Sequence, residues 1–361
     1  MILVTGGAGF IGSNFVTDWF LNESEPVLTV DKLTYAGNLR NLDAFSEDPR
    51  HRFVRADICD RDTVARLLGE NGIRAIVHFA AESHVDRSIR APAAFIDTNV
   101  VGTFQLLEAS REHWQSLPPS ARDAFRFIHV STDEVYGSLG HDDPPFTEFT
   151  PYRPNSPYAA SKAASDHLVR SYFHTYGLPT VTTNCSNNYG PRQFPEKLIP
   201  LCISSALELR PLPIYGDGQQ VRDWLYVGDH CTAVRRVLQA GCAGQVYNIG
   251  GNCERTNIDL VRLLCSVLDD ERPRADGVSH ACLIKHVPDR PGHDRRYAMN
   301  AGKILADLGW NPAETLDSGI RKTVRWYLHN SDWLENVTSG AYRQWISTHY
   351  PHDDHDERRL R

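Results

Sequence analysis

Short apolar runs alternate with longer amphipathic stretches along the first half of the chain. The runs cover residues 2–4, 27–30, 53–54, 75–79 and 127–130. Between them, residues 62–70 and 93–113 resemble helices, and apolar residues from 11 to 20 recur at helical spacing. Buried strands that alternate with helices are typical of a parallel sheet with crossover helices. The pattern therefore predicts an α/β fold with a Rossmann-type doubly wound parallel sheet.

The periodic pattern becomes irregular after residue 180, where prolines at positions 191, 195, 200, 211 and 213 interrupt it. We expect a smaller C-terminal α/β lobe there, rich in loops and short elements, which would form a substrate pocket over the sheet. The predicted division is a cofactor-binding Rossmann domain in residues 1–185, mainly a substrate-binding lobe in 186–350, and a frayed, charged tail in 351–361.

Composition narrows the class of protein. The 361 residues are 41% hydrophobic and 23% charged, which excludes disordered and fibrous classes. The net charge of −7 gives no electrostatic signature of a nucleic-acid or anionic-membrane partner. No apolar run approaches the roughly 18 residues that a membrane-spanning helix needs.

The eight cysteines are scattered and form no C-x-x-C pair, and the N-terminal residues lack the basic start of a secretory signal. This predicts free thiols in a reducing cytoplasm. Cys231, Cys242 and Cys253 are evenly spaced, but zinc ligands lie much closer in sequence, so no metal site is expected.

A glycine cluster joins the first run to the first helical stretch, with the spacing G-x-x-G-x-x-G at Gly6, Gly9 and Gly12. Glycine at these positions permits a tight turn and a close approach of the backbone to a pyrophosphate. The helix N-terminus then offers free N–H groups to the phosphate charge. The cluster predicts a dinucleotide site.

Two acidic residues refine this prediction. Asp31 ends the second run, where a carboxylate bonds the adenosine ribose and would repel a 2′-phosphate, so NAD is favoured over NADP. The adjacent Lys32 weakens that preference slightly. Asp57, followed by Ile58, either contacts the adenine or caps the next helix, and the sequence leaves both open.

Tyr158 and Lys162 lie four residues apart in a stretch with helical spacing, so they share one face of a helix. An ammonium near a phenol lowers the pKa of the phenol, which would make Tyr158 a general base. The alternative is a solvent-facing pair, but the preceding dinucleotide loop favours the catalytic interpretation.

Thr132, Asp133 and Glu134 directly follow the apolar run at 127–130, at the sheet edge where such folds place their chemistry. Thr132 could hydrogen-bond a substrate hydroxyl beside Tyr158. Two adjacent carboxyl groups in a closed pocket could act as one acid and one base. The alternative is that they cap a helix.

The glycine loop and the Tyr158/Lys162 pair resemble the extended short-chain dehydrogenase/reductase superfamily. Within it, the chain is similar to the dehydratases that act on nucleotide-linked glucose, from residue 1 to about 350. The stretches that carry this likeness are residues 31–38, 80–88, 131–137, 184–190, 195–200, 222–224 and 289–293.

The resemblance implies a redox-neutral dehydration of dTDP-glucose to its 4-keto-6-deoxy derivative, with NAD as a cofactor that stays bound. Tyr158 would deprotonate the carbon 4 hydroxyl with help from Thr132, while Lys162 holds the nicotinamide ribose. Glu134 would remove the carbon 5 proton, and Asp133 would protonate the departing carbon 6 hydroxyl.

The resemblance also implies binding residues by matching position. Implied NAD contacts, beside the loop glycines, are Phe10, Ile11, Asp31, Lys32, Leu33, Thr34, Asp57, Ile58, Ala80, Ala81, Thr98, Tyr158, Lys162 and Asn188. Implied sugar-nucleotide contacts are Ser83, Thr132, Asn187, Glu196, Lys197, Leu198, Pro213, Tyr215, Arg222, Asn257, Asp289, Arg290 and His293.

Physical chemistry supports some of these contacts independently. The guanidinium groups of Arg222 and Arg290 suit a pyrophosphate, and Glu196 with Lys197 offers an acceptor and a donor to a pyrimidine edge. The alternative for residues 222–224 is a local ion pair packed on an aromatic ring.

Three other functions remain open: a sugar-nucleotide 4-epimerase or decarboxylase, a dehydratase of another nucleotide-glucose, and a non-catalytic NAD-sensing module. The adjacent carboxyl groups Asp133 and Glu134 argue against the epimerase, and the intact Tyr158 and Lys162 argue against the sensing module. The resemblance further implies a homodimer built from the helices at about 93–113 and 155–176.

Overall fold

The computed structural model describes residues 1–338. The strands are β1 (Ile2–Thr5), β2 (Val27–Asp31), β3 (His51–Arg55), β4 (Ala75–His78), β5 (Arg126–Thr132), β6 (Thr180–Cys185), β7 (Asn187–Tyr189), β8 (Leu212–Tyr215), β9 (Val221–Tyr226), β10 (Val246–Ile249), β11 (Glu254–Thr256) and β12 (Ile284–Val287). The predicted frayed tail at 351–361 lies outside the described residues.

The helices surround and connect these strands. They are α1 (Phe10–Asn22), α2 (Arg61–Glu70), α3 (Val85–Arg90), α4 (Ala93–Phe95), α5 (Thr103–Ser116), α6 (Pro119–Ala124), α7 (Pro157–Tyr176), α8 (Leu198–Leu207), α9 (Val227–Ala240), α10 (Asn257–Glu271), α11 (Gly302–Leu308), α12 (Leu316–His329) and α13 (Ser331–Thr338). No helix within residues 1–338 is long and apolar enough to span a bilayer.

A seven-stranded sheet of order β10-β6-β5-β4-β1-β2-β3 forms the centre, and all of its pairs are parallel. Apolar side chains of α1 and α9 cover one face, with Phe15 and Val234 fully buried. The other face packs against α2, α5 and α7, where Leu67, Leu107 and Val169 are buried. The predicted doubly wound sheet is confirmed.

The seventh strand comes from the second half of the chain. Strand β10 pairs with β6, and the preceding helix α9 packs on α1, where Arg235 Nε lies 2.7 Å from Asp18 Oδ2. Residues within 186–350 therefore contribute to the Rossmann layer as well as to the lobe. The predicted division at residue 185 stays a prediction.

The rest of the C-terminal half builds a separate lobe. It contains a three-stranded sheet (β11-β9-β7) and a two-stranded sheet (β12-β8). Helices α8, α10 and α12 bury an apolar core around Leu264 and Val324. The expectation of only short elements is wrong here, because α10 has 15 residues with apolar positions at helical spacing.

The helix predicted at 93–113 is continuous but irregular. It runs through α4, a π-helical segment at Ile96–Gly102, and α5. A Cβ on Gly102 would lie 2.8 Å from Ile58 Cδ1, so this segment packs closely against the loop after β3. π-helical turns are frequent at functional sites, and this one carries Thr98 into the cavity described below.

Candidate active site

The glycine loop between β1 and α1 is shaped for a phosphate group. Gly6 has φ +70, a conformation that favours glycine, and Gly9 begins α1 without a side-chain cap. A Cβ on Gly12 would lie 2.3 Å from the Gly6 carbonyl oxygen. The helix N-terminus can therefore be approached closely by a pyrophosphate, and its N–H groups are suited to bind one.

Asp31 holds this loop in place from the end of β2. Its Oδ2 accepts a hydrogen bond from the Ala8 N–H at 3.0 Å, and its Oδ1 accepts one from the Leu33 N–H at 2.8 Å. Burial raises the pKa of the Asp31 carboxyl. It lines the cavity with lone pairs left for ribose hydroxyls.

Lys32 and Asp57 form an ion pair, with Nζ 2.5 Å from Oδ2. The pairing offsets the positive charge that weakened the preference for NAD. Asp57 does not cap the next helix: Asp60 does, by accepting a hydrogen bond from the Thr63 N–H. The capping interpretation of Asp57 is therefore wrong, and Asp57 lines the same cavity as Asp31.

A cavity of about 290 Å³ runs from the glycine loop to the end of β5. The predicted cofactor residues that line it are Gly6, Gly9, Phe10, Ile11, Gly12, Asp31, Lys32, Thr34, Asp57, Ile58, Ala80, Ala81, Thr98, Tyr158, Lys162 and Asn188. Leu33 is the exception. The backbone of Leu33 has a φ of +58, and its side chain packs against the hydrophobic core. Leu33 therefore does not line the cavity.

The sequence did not single out several lining residues, among them Ala36, Gly37, Phe79, Glu82 and Gln193. Ala36 and Gly37 belong to the stretch at 31–38 that carried the resemblance, so position in that stretch was the available signal. A Cβ on Gly37 would lie 2.9 Å from Asp31 Oδ1, which fixes the turn around that carboxylate.

The catalytic candidates meet where β5 ends. Thr132 closes the strand and accepts a hydrogen bond from the Glu134 N–H at 3.3 Å, which starts a short 3₁₀ turn. Tyr158 lies in the first turn of α7, whose N-cap Ser156 accepts a hydrogen bond from the Ala159 N–H. The structure brings Thr132, Asp133, Glu134, Tyr158 and Lys162 to one cavity.

Lys162 is held by a backbone contact near the end of β5. Its Nζ donates a hydrogen bond to the Val130 carbonyl oxygen at 2.9 Å. Burial and the Glu134 charge raise the pKa of Tyr158, while a hydrogen bond with Thr132 lowers it. The cost of burying a phenolate therefore dominates the pKa of Tyr158, and the lowering expected from Lys162 stays a prediction.

The two adjacent carboxyl groups have different surroundings. Asp133 is 1% exposed, its Oδ2 has no hydrogen-bond partner, and burial together with Glu134 and Asp223 raises its pKa well above the usual range. Burial also raises the pKa of Glu134, but the nearby cations Arg290, Lys197 and Arg222 oppose that shift. Asp133 is thus suited to hold a proton and Glu134 to lose one.

A buried polar network centred on Asp166 lies between α7 and the strands β5 and β6, next to the catalytic candidates. The Asp166 carboxylate accepts hydrogen bonds from Ser131 Oγ at 2.9 Å, from the Tyr152 hydroxyl at 2.9 Å and from Asn184 Nδ2 at 3.4 Å. Its other oxygen lies 3.1 Å from His129 Nε2. The network ties α7 to β5 and β6 and so fixes the helix that carries the catalytic phenol.

A second cavity, of about 170 Å³, opens from the first towards the lobe. The predicted substrate residues that line it are Asn187, Glu196, Lys197, Leu198, Pro213, Tyr215, Arg222, Asn257, Arg290 and His293. Ser83 and Thr132 line the first cavity instead, and Asn187, Glu196 and Lys197 line both. Asp289 lines neither; its Oδ1 lies 2.6 Å from His293 Nδ1 and positions that ring.

Arg222 is held by backbone and aromatic contacts. It donates to the carbonyl oxygens of Val221 at 2.7 Å and Asp294 at 2.9 Å, and its guanidinium lies 4.3 Å from the centre of the Tyr297 ring. Asp223 instead accepts a hydrogen bond from the Cys253 N–H. Within residues 1–338, the partners found for Arg222 and Asp223 are thus backbone groups and an aromatic ring rather than each other, which argues against the local ion pair.

Glu196 connects the two cavities. Its Oε1 accepts a hydrogen bond from the Tyr35 hydroxyl at 2.9 Å, and burial raises its pKa to about 7. Lys197 donates from Nζ to the Ser83 carbonyl oxygen at 2.7 Å. The pair predicted to meet a base edge therefore also joins the cofactor-side loops to the lobe.

The doubly wound sheet, the glycine loop and the tyrosine–lysine helix define a nucleotide-sugar enzyme of the extended short-chain dehydrogenase/reductase class. The chain belongs to the GDP-mannose 4,6 dehydratase family, whose model matches residues 3–323. It is 60% identical to the dTDP-glucose 4,6-dehydratase of Xanthomonas campestris pv. campestris (strain B100), over 94% of this chain and 97% of that protein.

Solved structures agree with this membership. DesIV, a dTDP-glucose 4,6-dehydratase from Streptomyces venezuelae solved with NAD and TYD bound, has a TM-score of 0.85 and 46% identity, and the match covers 93% of this chain and 99% of DesIV. The UDP-glucose 4-epimerase of Thermotoga maritima has a TM-score of 0.80 but only 29% identity, over 91% and 99% of the two chains. The shape is shared with an epimerase, while the higher identity is to dehydratases.

The dinucleotide site is tested by Gly12→Ala. The new Cβ would lie 2.3 Å from the Gly6 carbonyl oxygen, so the loop must shift away from the pyrophosphate position. We expect roughly hundredfold weaker NAD binding by titration calorimetry. The control is Gly69→Ala in α2, where nothing lies within 4 Å of the new Cβ. Equal NAD affinity in Gly12→Ala and the wild type would contradict the assignment.

Proposed function

We propose that the chain catalyses the NAD-dependent dehydration of dTDP-glucose to dTDP-4-keto-6-deoxy-glucose. The observation that carries the proposal is the pair of adjacent carboxyl groups, Asp133 and Glu134, in the cavity that Tyr158 also lines, with Asp133 beside the acids Glu134 and Asp223 and Glu134 facing three cations. A 4-epimerase needs no such acid and base, and an NAD-sensing module needs none of the three groups.

The dinucleotide fits the first cavity, because the loop has no side chain between the α1 N-terminus and that space and Asp31 faces the same space. When bound, NAD takes up a hydride from carbon 4 and later gives it to carbon 6. Its positively charged nicotinamide ring also opposes the burial that raises the pKa of Tyr158. Lys162, fixed by the Val130 carbonyl, is positioned to bind the ribose.

Tyr158 carries out the first proton transfer. Its phenolate takes the proton of the carbon 4 hydroxyl, and the Thr132 hydroxyl stabilises the negative charge on the phenol oxygen. The carbon 4 ketone then makes the neighbouring carbon 5 proton acidic. The deeply buried position of the phenol keeps water from competing for that step.

The two carboxyl groups carry out the elimination of water. Glu134, whose raised pKa is opposed by Arg290, Lys197 and Arg222, takes the carbon 5 proton. Asp133, kept protonated by burial, gives its proton to the departing carbon 6 hydroxyl, which leaves as water. Glu134 finally returns a proton to carbon 5.

The second cavity is the proposed site of the nucleotide. Arg222 and Arg290 would bind the pyrophosphate, and Glu196 with Lys197 would meet the edge of the pyrimidine. Residues 1–185, together with Asn188, would supply the cofactor contacts, and the later lobe would supply most of the sugar-nucleotide contacts. We place the enzyme in the cytoplasm, where its free thiols are stable.

A homodimer is part of the proposal. The helices at 85–104 expose four apolar side chains: Ile89 at 39%, Ile96 at 48%, Val101 at 40% and Phe104 at 39%. Such a cluster on neighbouring helical turns is typical of a protein–protein contact rather than of a solvated face. We propose that these turns pack with α7 against the same surface of a second copy.

The activity is tested with dTDP-, UDP-, GDP- and CDP-glucose in turn, with the product read as alkali-induced ultraviolet absorbance of a 4-keto-6-deoxy sugar. We expect dTDP-glucose to be dehydrated fastest.

Glu134→Gln should still reduce bound NAD but stall before water loss, lowering turnover by about 10²–10⁴-fold. The control is Glu335→Gln on α13, remote from both cavities. Epimerised product, or carbon 5 exchange with solvent at the wild-type rate in Glu134→Gln, would contradict the proposal.

The dimer is tested by Phe104→Asp, which places a charge in the proposed contact. We expect sedimentation to show a dimer for the wild type and a monomer for the variant, because an unpaired buried charge is costly. The control is Phe149→Asp, where the side chain is 90% exposed and isolated from the cluster. A dimeric Phe104→Asp variant would show that the contact lies elsewhere. A monomeric wild type would show that the proposed dimer does not form.

A further inference from the structure

Helix α13 contacts the 3₁₀-helical segment Leu39–Phe45, which lies between β2 and β3. The Trp333 indole donates a hydrogen bond from Nε1 to Asn41 Oδ1 at 2.7 Å. Asn41 is 2% exposed and Trp333 is 8% exposed, so this bond is shielded from water. It joins two parts of the chain that are 292 residues apart in sequence.

The same Asn41 side chain holds the glycine loop. Its Nδ2 donates a hydrogen bond to the Ala8 carbonyl oxygen at 2.8 Å. The Asn38 N–H donates to that oxygen at 3.0 Å, and the Gly9 N–H donates to the Gly6 carbonyl oxygen at 3.1 Å. The peptide group between Ala8 and Gly9 is therefore fixed both at its oxygen and at its N–H.

This peptide group sets the position at which α1 begins. Gly9 is the N-cap residue and provides no side-chain hydrogen bond, so backbone contacts place the first N–H groups of the helix. Gly9, Phe10, Ile11 and Gly12 line the first cavity, whereas Ala8 is fully buried and does not. A shift of the Ala8 carbonyl would therefore move the N–H groups that are suited to bind a pyrophosphate.

The two partners of Asn41 select one orientation of its amide. An indole N–H can only donate a hydrogen bond and a carbonyl oxygen can only accept one, so the amide must turn its oxygen to Trp333 and its nitrogen to Ala8. Reversing the amide would break both bonds in a buried place, where unpaired polar groups are costly. Removing the indole N–H would take away one of the two bonds that fix this orientation.

Trp333 is itself anchored in the lobe. Its ring belongs to the apolar core there and meets two other aromatic rings edge to face, with ring centres 5.1 Å away for Trp326 and 6.0 Å away for Tyr327. A further contact of α13 with the same segment joins Asn38 Nδ2 to Asn336 Oδ1 at 3.3 Å. The packing of the lobe therefore holds the indole in place against the segment that supports the loop.

We propose that Trp333 is a positioning residue of the dinucleotide site, which acts through Asn41 on the Ala8 carbonyl and so on the pyrophosphate-binding start of α1. The inference rests on the proposed binding of NAD in the first cavity. Helix α13 lines neither cavity, so the effect of Trp333 on the cofactor is transmitted by these two hydrogen bonds.

The test is the NAD affinity of Trp333→Phe, which keeps an aromatic ring in the core and removes the N–H donor. We expect titration calorimetry to show NAD binding that is roughly threefold to tenfold weaker, because a buried hydrogen bond that orients the loop support is lost. In the wild type with isotope-labelled indole, the Nε1–H resonance that is missing from Trp333→Phe should shift when NAD is added, since linkage between the two sites is reciprocal. Wild-type NAD affinity in Trp333→Phe, or an indole resonance that ignores NAD, would overturn the proposal.

The matched control is Trp326→Phe, which trims a ring of the same aromatic cluster and leaves the bond between Trp333 and Asn41 in place. It should lower the melting temperature, because it removes apolar packing, and leave NAD affinity at the wild-type value. If Trp326→Phe weakened NAD binding as much as Trp333→Phe does, the effect would come from general loosening of the lobe and the proposal would fail.

Asn41→Leu is the second variant, because it removes the amide through which Trp333 acts. NAD binding should weaken at least as much as in Trp333→Phe, and combining the two substitutions should weaken it no further, since both act through one contact. Wild-type NAD affinity in Asn41→Leu would contradict the proposal even if Trp333→Phe does not fold, and so would additive losses in the double variant. Failure of the wild type to bind NAD would contradict the proposed cofactor site as well, whereas a wild type that binds NAD beside unaffected variants would contradict this inference alone.

Discussion

The unequal electrostatic surroundings of two neighbouring carboxyl groups are the interaction on which this site depends. Asp133 and Glu134 follow the same strand and share one corner, yet Asp133 is enclosed beside another acid, Asp223, while Glu134 faces cations. Burial alone would protonate both groups, since desolvation disfavours every carboxylate. The pKa of both carboxyl groups is raised, but three cations oppose the shift for Glu134, whereas the neighbouring acids add to it for Asp133. An acid and a base can then lie next to each other at the same pH.

The architecture supplies these surroundings from distant parts of the chain. The parallel sheet places the ends of β5 and β6 side by side, so Thr132 and Asn184 meet. The lobe contributes Arg222 and Arg290, and the Arg290 guanidinium lies 3.4 Å from the carboxylate of Asp86 in the first turn of α3. The charge state of Glu134 therefore depends on the position of the lobe against the sheet. Displacing the lobe would remove the cations and raise the pKa of Glu134 further, which would protonate the base.

The chain pattern predicted the first five strands of the central sheet, the glycine loop and the catalytic cluster, because these depend on local periodicity and short spacing. It missed the assignment of β10 to the central sheet, since a short apolar run does not reveal its partner. The resemblance implied binding roles for Leu33 and Asp289, although the Leu33 side chain packs against the core and Asp289 supports His293. The pattern also did not reveal that a carbonyl oxygen binds the Lys162 ammonium, because a spacing of four residues carries no such information.

The division of labour between the two carboxyl groups is tested most directly by infrared difference spectroscopy of the ligand-free enzyme near neutral pH. We expect the protonated-carboxyl C=O absorption to lose one component in Asp133→Asn and to keep it in Glu134→Gln, because burial and Asp223 keep the proton on Asp133, while the component of Glu196, whose pKa is about 7, remains in both variants. Loss of a component in Glu134→Gln, with none lost in Asp133→Asn, would reverse the roles of acid and base and contradict this assignment.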